Sequence, residues 1–505
     1  MSDRRHAIAL FLSILVSGLV LFSRHSDFAF FYHPDEGGKV QQIIRHKRNF
    51  NHPMMMLSTV EVARYATLWG EKRKDPQSVA MVGRRATAFV SAAAAALLAL
   101  LAFRTFGAAA GWACGIVCVT NPLLYELAHY FKEDPWLMAG IAAVCVALNE
   151  YRRDPSVRGL TVFAVACALA AAGKYAGFAF LPIALVLVWR GTEPALRKAR
   201  LGRFLAVFAG VWLLFNLSFL RSPGALFESV HEETTKLAGL TEGVTRSVPH
   251  DFYIMTQSLY GGWMLPGLCI FWLVGAIRSP RRISAAEWLL AVCAVIQFAG
   301  YSFMPKAAFR YYLPVSLAFG FLAVAGLARI CADLRSRGAV GRLALGFSGA
   351  LVAVALYFQM ESFAVIDRSF KTDDRRNLTE WVRANLPVEA VIAQDEAVNF
   401  PDASRWVHAG RAPLPQRLVS GKKELADLGT LADLRAMGVT HVAVCQRTYG
   451  RYLDASRKDS KGSNQTAERA FYESLFSKGT ILWESKIGPV TYLQPGLRFV
   501  DISKL

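Results

Sequence analysis

Two pairs of adjacent carboxylates stand out in this chain, and each pair lies beside a proline. Asp35-Glu36 follows His33-Pro34, and Glu133-Asp134 precedes Pro135. A carboxylate in a cleft can act as a general base, and two acidic loops on one face could bind a divalent cation such as Mg²⁺ or Mn²⁺, with Asp35 and Asp134 as ligands. The simpler alternative is a helix start, because acidic residues and proline both favour the first turn.

Basic residues next to aromatic residues form a second group of candidates. Lys174-Tyr175, Lys306 and Arg310-Tyr311 each place a cation near a ring at the end of a hydrophobic stretch. Such residues often anchor helices at the membrane surface, but together they could hold a phosphate group, which arginine binds through two parallel hydrogen bonds. His52 is a further candidate, with a purely local hydrogen bond as the alternative.

Membrane-spanning helices must position these residues. The chain has 505 residues, of which 54% are hydrophobic and 19% charged, and a helix needs about 20 mostly apolar residues to cross a bilayer. The apolar stretches predict about eleven such helices, within a range of roughly ten to thirteen. The predicted spans lie near residues 7–23, 80–102, 106–122, 135–150, 159–173, 175–189, 204–220, 254–277, 285–303, 311–330 and 343–360.

The distribution of lysine and arginine predicts which loops face the cytoplasm. With the N-terminus inside, the short inner loops carry most of the basic residues, as the positive-inside rule requires. Residues 24–79, 221–253 and the segment from 361 onwards then lie outside, together with both acidic pairs. The outer loop 24–79 is an exception to this rule, because it is rich in lysine and arginine. Either long loops escape the rule, or this loop holds an anionic substrate or lipid head group.

Charge and cysteine content exclude other classes of function. Much of the net charge of +19 comes from the basic residues of the predicted cytoplasmic loops, and no basic helix is interleaved with aromatic residues. Nucleic acid is therefore not a predicted partner. All eight cysteines except Cys445 lie in or at the ends of hydrophobic spans, and none has zinc-ligand spacing with histidine. Neither a disulfide framework nor a zinc site is therefore predicted. Cys445 is expected to be accessible to a thiol reagent outside the membrane.

Three parts follow from these patterns. Residues 1–79 contain the first span and an outer loop with two amphipathic stretches, which predict short helices at the membrane surface or a cap packed on the spans. Residues 80–360 form the membrane core, and residues 361–505 a soluble extracytoplasmic tail. The tail alternates helices and strands, which predicts an α/β domain. Its predicted helices cover 374–386, 425–437 and 467–477, and its predicted strands 391–393, 440–444, 481–483 and 498–502.

These motifs, in this order and on this side of the membrane, resemble those of the GT-C superfamily of integral-membrane glycosyltransferases. The aminoarabinose transferases of lipid A and the protein O-mannosyltransferases are the most similar groups. The resemblance rests on four segments. They are His33-Pro34-Asp35-Glu36 with Lys39 and Asn51-His52-Pro53, then Glu133-Asp134-Pro135, then Lys306 with Arg310-Tyr311-Tyr312-Leu313-Pro314, and finally Asp374-Arg375-Arg376 through Leu386-Pro387.

The resemblance implies a sugar donor linked to polyprenyl phosphate and an acceptor that is a lipid, a glycan or a protein. It places the catalytic carboxylate at Asp35, with Glu36 as the less favoured alternative, in a single displacement that inverts the anomeric carbon. The composition and the absence of long disordered tails favour a bacterial inner membrane over the endoplasmic reticulum, with membrane lipids as partners. The remaining candidates would bind substrate, and they are Glu133, Asp134, Lys174, Lys306, Arg310, Tyr311 and His52.

A transporter or flippase with an outer domain is the alternative from another class. Transporters typically place charges near the bilayer midplane or are built from paired repeats. No ionisable residue lies clearly in the middle of a predicted span, and the charged candidates all lie at the outer edge. The sequence therefore favours an enzyme over a transporter.

Overall fold

A computed structural model describes most of the chain. The described residues are 2–221, 223–238, 264–303, 308–335, 338–420, 425–454 and 466–505. Lys306 lies outside them, as do residues 239–253 of the second outer loop and the first ten residues of the predicted span 254–277.

Helices are the regular secondary structure of the described membrane part. It begins with α1 (Ser2–Phe22), and the first outer loop contains α2 (Pro34–Arg45) and α3 (Met55–Thr67). The helices that follow are α4 (Pro76–Phe106), α5 (Ala108–Val119), α6 (Pro122–Ala128), α7 (Asp134–Arg153), α8 (Val157–Gly173), α9 (Phe180–Arg190), α10 (Arg197–Asn216), α11 (Pro223–Ala238), α12 (Met264–Arg278), α13 (Ala285–Phe303), α14 (Leu313–Arg335) and α15 (Gly338–Phe370).

Each of the eleven predicted spans contains a helix within the described residues. By length and composition, six stretches of helix in those residues are apolar enough to cross a bilayer, or seven if the bent pair α5–α6 is one span. Three further apolar helices are shorter than a typical span. The protein is thus an integral membrane protein with many helices, but the count of eleven spans is not confirmed.

The break between α5 and α6 lies within the predicted span 106–122 and bends the chain by 57°. Asn121 caps α6 by accepting a hydrogen bond from the N–H of Leu124 at 3.0 Å, and proline follows at the first helical position. The Gln359 side chain of α15 donates to the Val117 carbonyl at 2.7 Å, where the helix no longer supplies a partner. The bend carries the chain to the second acidic loop.

Close packing of α7 on α8 brings the ends of these two helices together. A Cβ on Gly140 of α7 would lie 2.4 Å from the Cα of Ala170 in α8, so only glycine allows this approach. Because α7 begins at Asp134 and α8 ends at Gly173, the acidic start of one helix faces the lysine that follows the other. Asp134 and Lys174 are consequently 2.6 Å apart.

Helices α2 and α3 form a cap on the membrane core. Val40 and Ile43 of α2 are fully buried, and they share a hydrophobic cluster with Met56 and Val60 of α3 and with Phe131 of the second acidic loop. Both amphipathic stretches of the first outer loop thus contain helices that pack on the membrane helices. Their packing fixes the start of α2 against the loop that carries Glu133-Asp134.

The tail forms a five-stranded sheet flanked by helices, which confirms the predicted α/β class. The strand order is β2-β1-β3-β5-β4, with β2, β1 and β3 parallel and the other two pairings antiparallel. Its strands are β1 (Val391–Gln394), β2 (Arg417–Ser420), β3 (His441–Cys445), β4 (Thr480–Glu484) and β5 (Leu497–Asp501). Its helices are α16 (Asp374–Asn385), α17 (Leu431–Ala436), α18 (Gln446–Leu453) and α19 (Thr466–Lys478).

The tail departs from the sequence predictions at four features. Strand β2 and helix α18 were not predicted, because an edge strand of four residues and a helix of eight give weak periodic signals. The predicted helix 425–437 is interrupted at Gly429, which has a φ of +106°. A single helical turn ends before this glycine, and α17 begins after it with Thr430 as its cap. The expectation of an accessible Cys445 is wrong, because this residue ends the central strand β3 and is fully buried.

We predict that a cysteine introduced at the exposed end of α19 reports the side of the membrane on which the tail lies. Lys478→Cys should react with a membrane-impermeant maleimide in intact spheroplasts, because the charge bias places the tail outside. The wild-type protein is the control, since Cys445 is buried and the other cysteines lie in the membrane part. Labelling only after lysis would contradict the predicted orientation.

Candidate active site

A cluster of charged side chains lies where α2, the second acidic loop, the start of α7 and the segment before α14 meet. Three carboxylates, those of Asp35, Glu133 and Asp134, alternate in space with basic groups rather than facing one another. Those basic groups belong to Lys39, His52, Lys132, Lys174 and Arg310. Most of these side chains are buried, so the partly exposed ones are those that a substrate could contact.

Asp35 and Glu36 occupy the first turn of α2 but point in different directions. Glu36 is fully buried and forms a bidentate ion pair with Arg84 of α4, with N–O distances of 2.5 and 3.0 Å. The N–H of Phe131 also donates to Glu36 Oε1 at 2.8 Å. Asp35 instead keeps 41% of its side chain exposed. The contacts of Glu36 thus fit a positioning role better than the catalytic role considered for it.

Arg84 also holds the polypeptide before α2. Its guanidinium donates to the carbonyl oxygens of Ser26 and Phe28, both at 2.6 Å, and stacks 3.6 Å from the Phe28 ring. One buried side chain therefore joins α4, the start of the outer loop and α2.

The exposed carboxylate of Asp35 lies between two basic groups. Lys132 Nζ donates to Asp35 Oδ2, and Arg310 Nη2 lies 3.9 Å from the same oxygen. On the backbone side, the N–H of Asp35 donates to Nδ1 of His33, which caps α2, at 3.2 Å. Among the described residues, both of these basic groups contact Oδ2, and the second carboxylate oxygen of Asp35 has no ion-pair partner.

Glu133 is buried behind Asp35. Lys39, four residues after Asp35 on α2, lies 2.8 Å from Glu133 Oε1, and its Nζ also donates to the Phe131 carbonyl at 3.0 Å. His52 Nε2 lies 3.5 Å from the same carboxylate oxygen. Glu133 therefore joins α2, the following loop and the second acidic loop.

Asp134 connects the two basic–aromatic pairs predicted from the sequence. Lys174 Nζ donates to Asp134 Oδ1 at 2.6 Å, while Arg310 Nε lies 3.8 Å from Oδ2. The ring of Tyr311 lies between these cations, 4.4 Å from Lys174 Nζ and 5.2 Å from the Arg310 guanidinium. Arg310 is 30% exposed and so lies at the open side of the cluster.

These contacts control the ionisation of the carboxylates. Burial acts to raise the pKa of Asp35, but the Lys132 ammonium outweighs it and holds the pKa well below its usual range. Burial likewise opposes ionisation of Glu133, yet His52, Lys39 and Lys132 hold its pKa well below the usual value.

The imidazole of His33 is held neutral in the same field. Burial, followed by the nearby Lys132, places the pKa of His33 well below its usual value. A neutral ring with Nδ1 unprotonated can accept the Asp35 N–H, whereas an imidazolium cannot.

A divalent cation held by Asp35 and Asp134 does not fit this arrangement. The Oδ2 atoms of both residues face the Arg310 guanidinium, at 3.9 and 3.8 Å, so a cation of the protein already lies between the two carboxylates. Within the described ranges, no group of three His, Cys, Asp or Glu side chains is arranged to hold a metal ion.

The structure brings together all the predicted site residues that it describes. Sequence reasoning gave no role to Arg84, Lys132 or His33, each of which contacts a carboxylate or the backbone of Asp35. Lys132 directly precedes Glu133. Lys39 follows Asp35 by one helical turn, so Asp35 and Lys39 lie on one face of α2. These short separations in the sequence indicated both lysines, whereas nothing local in the sequence links Arg84 to Glu36.

Comparison with known proteins finds similarity in structure. No protein-family model and no curated protein sequence matches the chain. Among solved structures, ArnT from Cupriavidus metallidurans bound to undecaprenyl phosphate aligns with a TM-score of 0.53 and 17% identity, over 98% of this chain and 97% of that one. The chain has the GT-C fold.

Two further structures support the GT-C fold. The oligosaccharyltransferase of Archaeoglobus fulgidus in its apo form aligns with a TM-score of 0.55 and 13% identity, over 91% of this chain and 72% of that one. The archaeal oligosaccharyltransferase AglB from the same organism, in complex with an inhibitory peptide and a dolichol-phosphate, gives 0.51 and 12%, over 90% and 72%. The GT-C resemblance predicted from the four sequence segments is therefore confirmed for the fold.

We predict that Arg84 is essential for folding because of the charge that it neutralises. Arg84→Met leaves the Glu36 carboxylate buried without its cation, which should cost about 3–5 kcal/mol. The double variant Arg84→Met, Glu36→Gln should recover part of that loss. The measurement is the midpoint temperature of aggregation in detergent, with the exposed neighbour Arg85→Met as control. An Arg84→Met midpoint equal to that of the control would contradict the assignment.

Proposed function

We propose that the protein is a glycosyltransferase of the bacterial inner membrane that moves a sugar from a polyprenyl-phosphate carrier to an acceptor on the outer face. The observation that carries the proposal is the exposed Asp35 carboxylate beside Lys132 and Arg310, at the accessible side of a buried charged cluster. A carboxylate next to two cations suits a reaction in which one proton is accepted while a phosphate departs.

The donor class is supported by two proteins that share the fold. ArnT is bound to undecaprenyl phosphate and AglB to a dolichol-phosphate, and the alignments cover 98% and 90% of this chain. Both ligands are long isoprenoid alcohols that carry a phosphate. A carrier of this kind stays in the bilayer and presents its phosphate at the surface, where the basic residues of the cluster are expected to lie.

In the proposed reaction, one acceptor oxygen attacks the anomeric carbon of the sugar. Its proton passes to the free carboxylate oxygen of Asp35 as the new carbon–oxygen bond forms. The bond between the anomeric carbon and the phosphate oxygen breaks, and the lipid phosphate leaves with the electron pair. A single displacement of this kind inverts the anomeric carbon.

Arg310 is the residue proposed to hold the departing phosphate. Its guanidinium is partly exposed and lies nearly 4 Å from both Asp35 and Asp134, at 3.9 and 3.8 Å. It therefore has N–H groups available for a phosphate while the two carboxylates orient it. Lys174 is bonded to Asp134 and stacked on Tyr311, so its proposed part is to support Arg310.

Lys132 links donor binding to the basicity of Asp35. Its ammonium is bonded to Asp35, so the pKa of that carboxylate is low before a donor arrives. A phosphate within reach of Lys132 would compete with Asp35 for the ammonium. Asp35 would then become a stronger base in the complex that contains the lipid phosphate.

The residues proposed to bind the sugar and acceptor are Glu133 and His52, which are linked to Asp35 through Lys132. Glu36 is proposed to position α2 rather than to react. The acceptor is a lipid, glycan or protein carrying a nucleophilic oxygen. Mass spectrometry of lipid-linked sugars and surface glycans, in cells with and without the gene, identifies both substrates.

The central prediction is that Asp35→Asn abolishes sugar transfer while the protein still folds and inserts. The amide keeps the shape of the carboxylate but cannot accept the proton, so the rate should fall by at least about 10²-fold. Transfer from undecaprenyl-phosphate-linked sugars is measured with purified protein in nanodiscs. Asp27→Asn, an exposed acid on the same loop, is the control.

The same pair of variants tests the alternative function. A flippase would still move lipid-linked sugars across vesicle membranes after Asp35→Asn. Full transfer activity in that variant would refute Asp35 as the base.

We further predict that Lys132 sets the acidic limit of activity. Only ionised Asp35 can act as the base, and its low pKa keeps it ionised as the pH falls. Lys132→Met removes the positive charge, so the pKa of Asp35 should rise and the acidic limb of kcat/KM should move to higher pH by roughly one unit or more. Lys132→Arg keeps the charge and should keep the limb. An unchanged limb in Lys132→Met would contradict this role.

A further inference from the structure

The hairpin between β4 and β5 extends from the tail into the membrane part. Residues 488–494, here called the finger, are closed at their base by a bridge between Ile487 and Pro495. Val490 and Leu493 of the finger are fully buried in the hydrophobic cluster that also contains Tyr32, Tyr130 and residues of the membrane helices. The finger is therefore held in place by the membrane part as well as by the tail.

The finger ends on the residue that caps α2. The ring of Tyr492 lies 4.3 Å from the imidazole of His33, and Tyr130 of the second acidic loop packs on that imidazole at 4.8 Å. Tyr492 and Tyr130 also meet edge to face at 5.6 Å. On the tail side, the guanidinium of Arg447 lies 5.1 Å from the Tyr492 ring. His33 is thereby enclosed by aromatic rings and is only 2% exposed.

The orientation of this imidazole bears directly on Asp35. Its Nδ1 accepts the N–H of Asp35 at 3.2 Å, and Pro34 between them has no N–H of its own. The carbonyl of His33 accepts the N–H of Glu36 at 3.1 Å. A rotation of the His33 ring would break the first of these bonds and leave the second, together with the Glu36–Arg84 pair, in place. The bond that is lost is the one made by the backbone of Asp35 itself, so the Asp35 carboxylate is the group whose position depends on the ring.

Ordinary core packing is the simpler explanation of an enclosed histidine, but two features go beyond it. A phenyl ring would fill the same space, yet only an imidazole supplies the acceptor that caps α2. Of the two tyrosine rings that pack on this imidazole, the nearer one comes from the tail, on a finger that extends beyond its own sheet.

We propose that Tyr492 is a positioning residue for Asp35, acting through His33, so that the tail completes the reaction centre. This inference rests on the proposed function, because it assigns Tyr492 to the geometry of the proposed base. A displacement of a reacting group by about 1 Å can cost about 10²-fold in rate, so a contact of this kind can govern turnover without touching a substrate.

The test compares Tyr492→Ala with Tyr492→Phe in the full-length protein in nanodiscs. Tyr492→Ala should lower kcat by about tenfold or more and leave the donor KM within about twofold, because it moves the base and not the phosphate-binding residues. Tyr492→Phe keeps the ring and should keep kcat. Ile487→Ala, on an exposed residue at the base of the same finger, is the matched control.

A double-mutant cycle with His33→Asn tests the route of action. Asparagine can still cap a helix but offers no ring to pack on Tyr492. If Tyr492 acts through His33, adding Tyr492→Ala to His33→Asn should lower kcat by less than about twofold further. If the two residues acted independently, the fold-losses in kcat of the two single variants would multiply in the double variant.

Three results would overturn the inference. They are a wild-type kcat in Tyr492→Ala, a loss fully explained by less folded protein in a thermal-unfolding assay, and multiplying effects in the cycle. Asp35→Asn is measured in parallel to separate the two proposals. An inactive Asp35→Asn with a normal Tyr492→Ala overturns this inference alone, whereas an active Asp35→Asn overturns the proposed function and this inference with it.

Discussion

The buried ion pair between Glu36 and Arg84 is the interaction on which the site depends. It joins α2 to α4, and each partner also holds a piece of backbone, since Arg84 binds the carbonyls of Ser26 and Phe28 while Glu36 binds the N–H of Phe131. Buried pairs of this kind often add little net stability, because desolvation offsets the attraction. The effect of the Glu36–Arg84 pair is geometric, because this pair brings the two acidic loops together.

The second constraint is charge balance in a region of low solvent access. Asp35, Glu133 and Asp134 would repel one another if they faced directly, and each is instead paired with a lysine. Burial strengthens these attractions, because the local dielectric is low. The result is a compact array in which Asp35 and Arg310 remain partly open. A phosphate with its own negative charge fits this array, because it can compete for cations that carboxylates already hold.

The tail is connected to this array rather than merely attached to the last membrane helix. Trp406, Val490 and Leu493 are buried in the same cluster as residues of the membrane helices, and Arg375 stacks 4.4 Å from the ring of Tyr32. In open α/β sheets, ligands usually bind near the carboxyl ends of parallel strands. Here Arg447, which follows β3 by two residues, lies against the finger that contacts His33. Tyr492 thus links the residues that follow β3 to the first outer loop.

Hydrophobic periodicity, charge bias and turn residues were enough to predict the membrane helices, the α/β tail and most of the charged candidates, because each of these signals is local in the sequence. Lys39 follows Asp35 by one helical turn, and Lys132 adjoins Glu133, so even part of the pairing was accessible. What local patterns in the sequence could not decide was which carboxylate of the first pair stays partly exposed. Asp35 and Glu36 are adjacent, and neighbours on a helix point about 100° apart, so one must face the core and the other the cleft. Only the position of Arg84, far away in the chain, selects Glu36 for the core, and the contact between Tyr492 and His33 is likewise a product of tertiary structure.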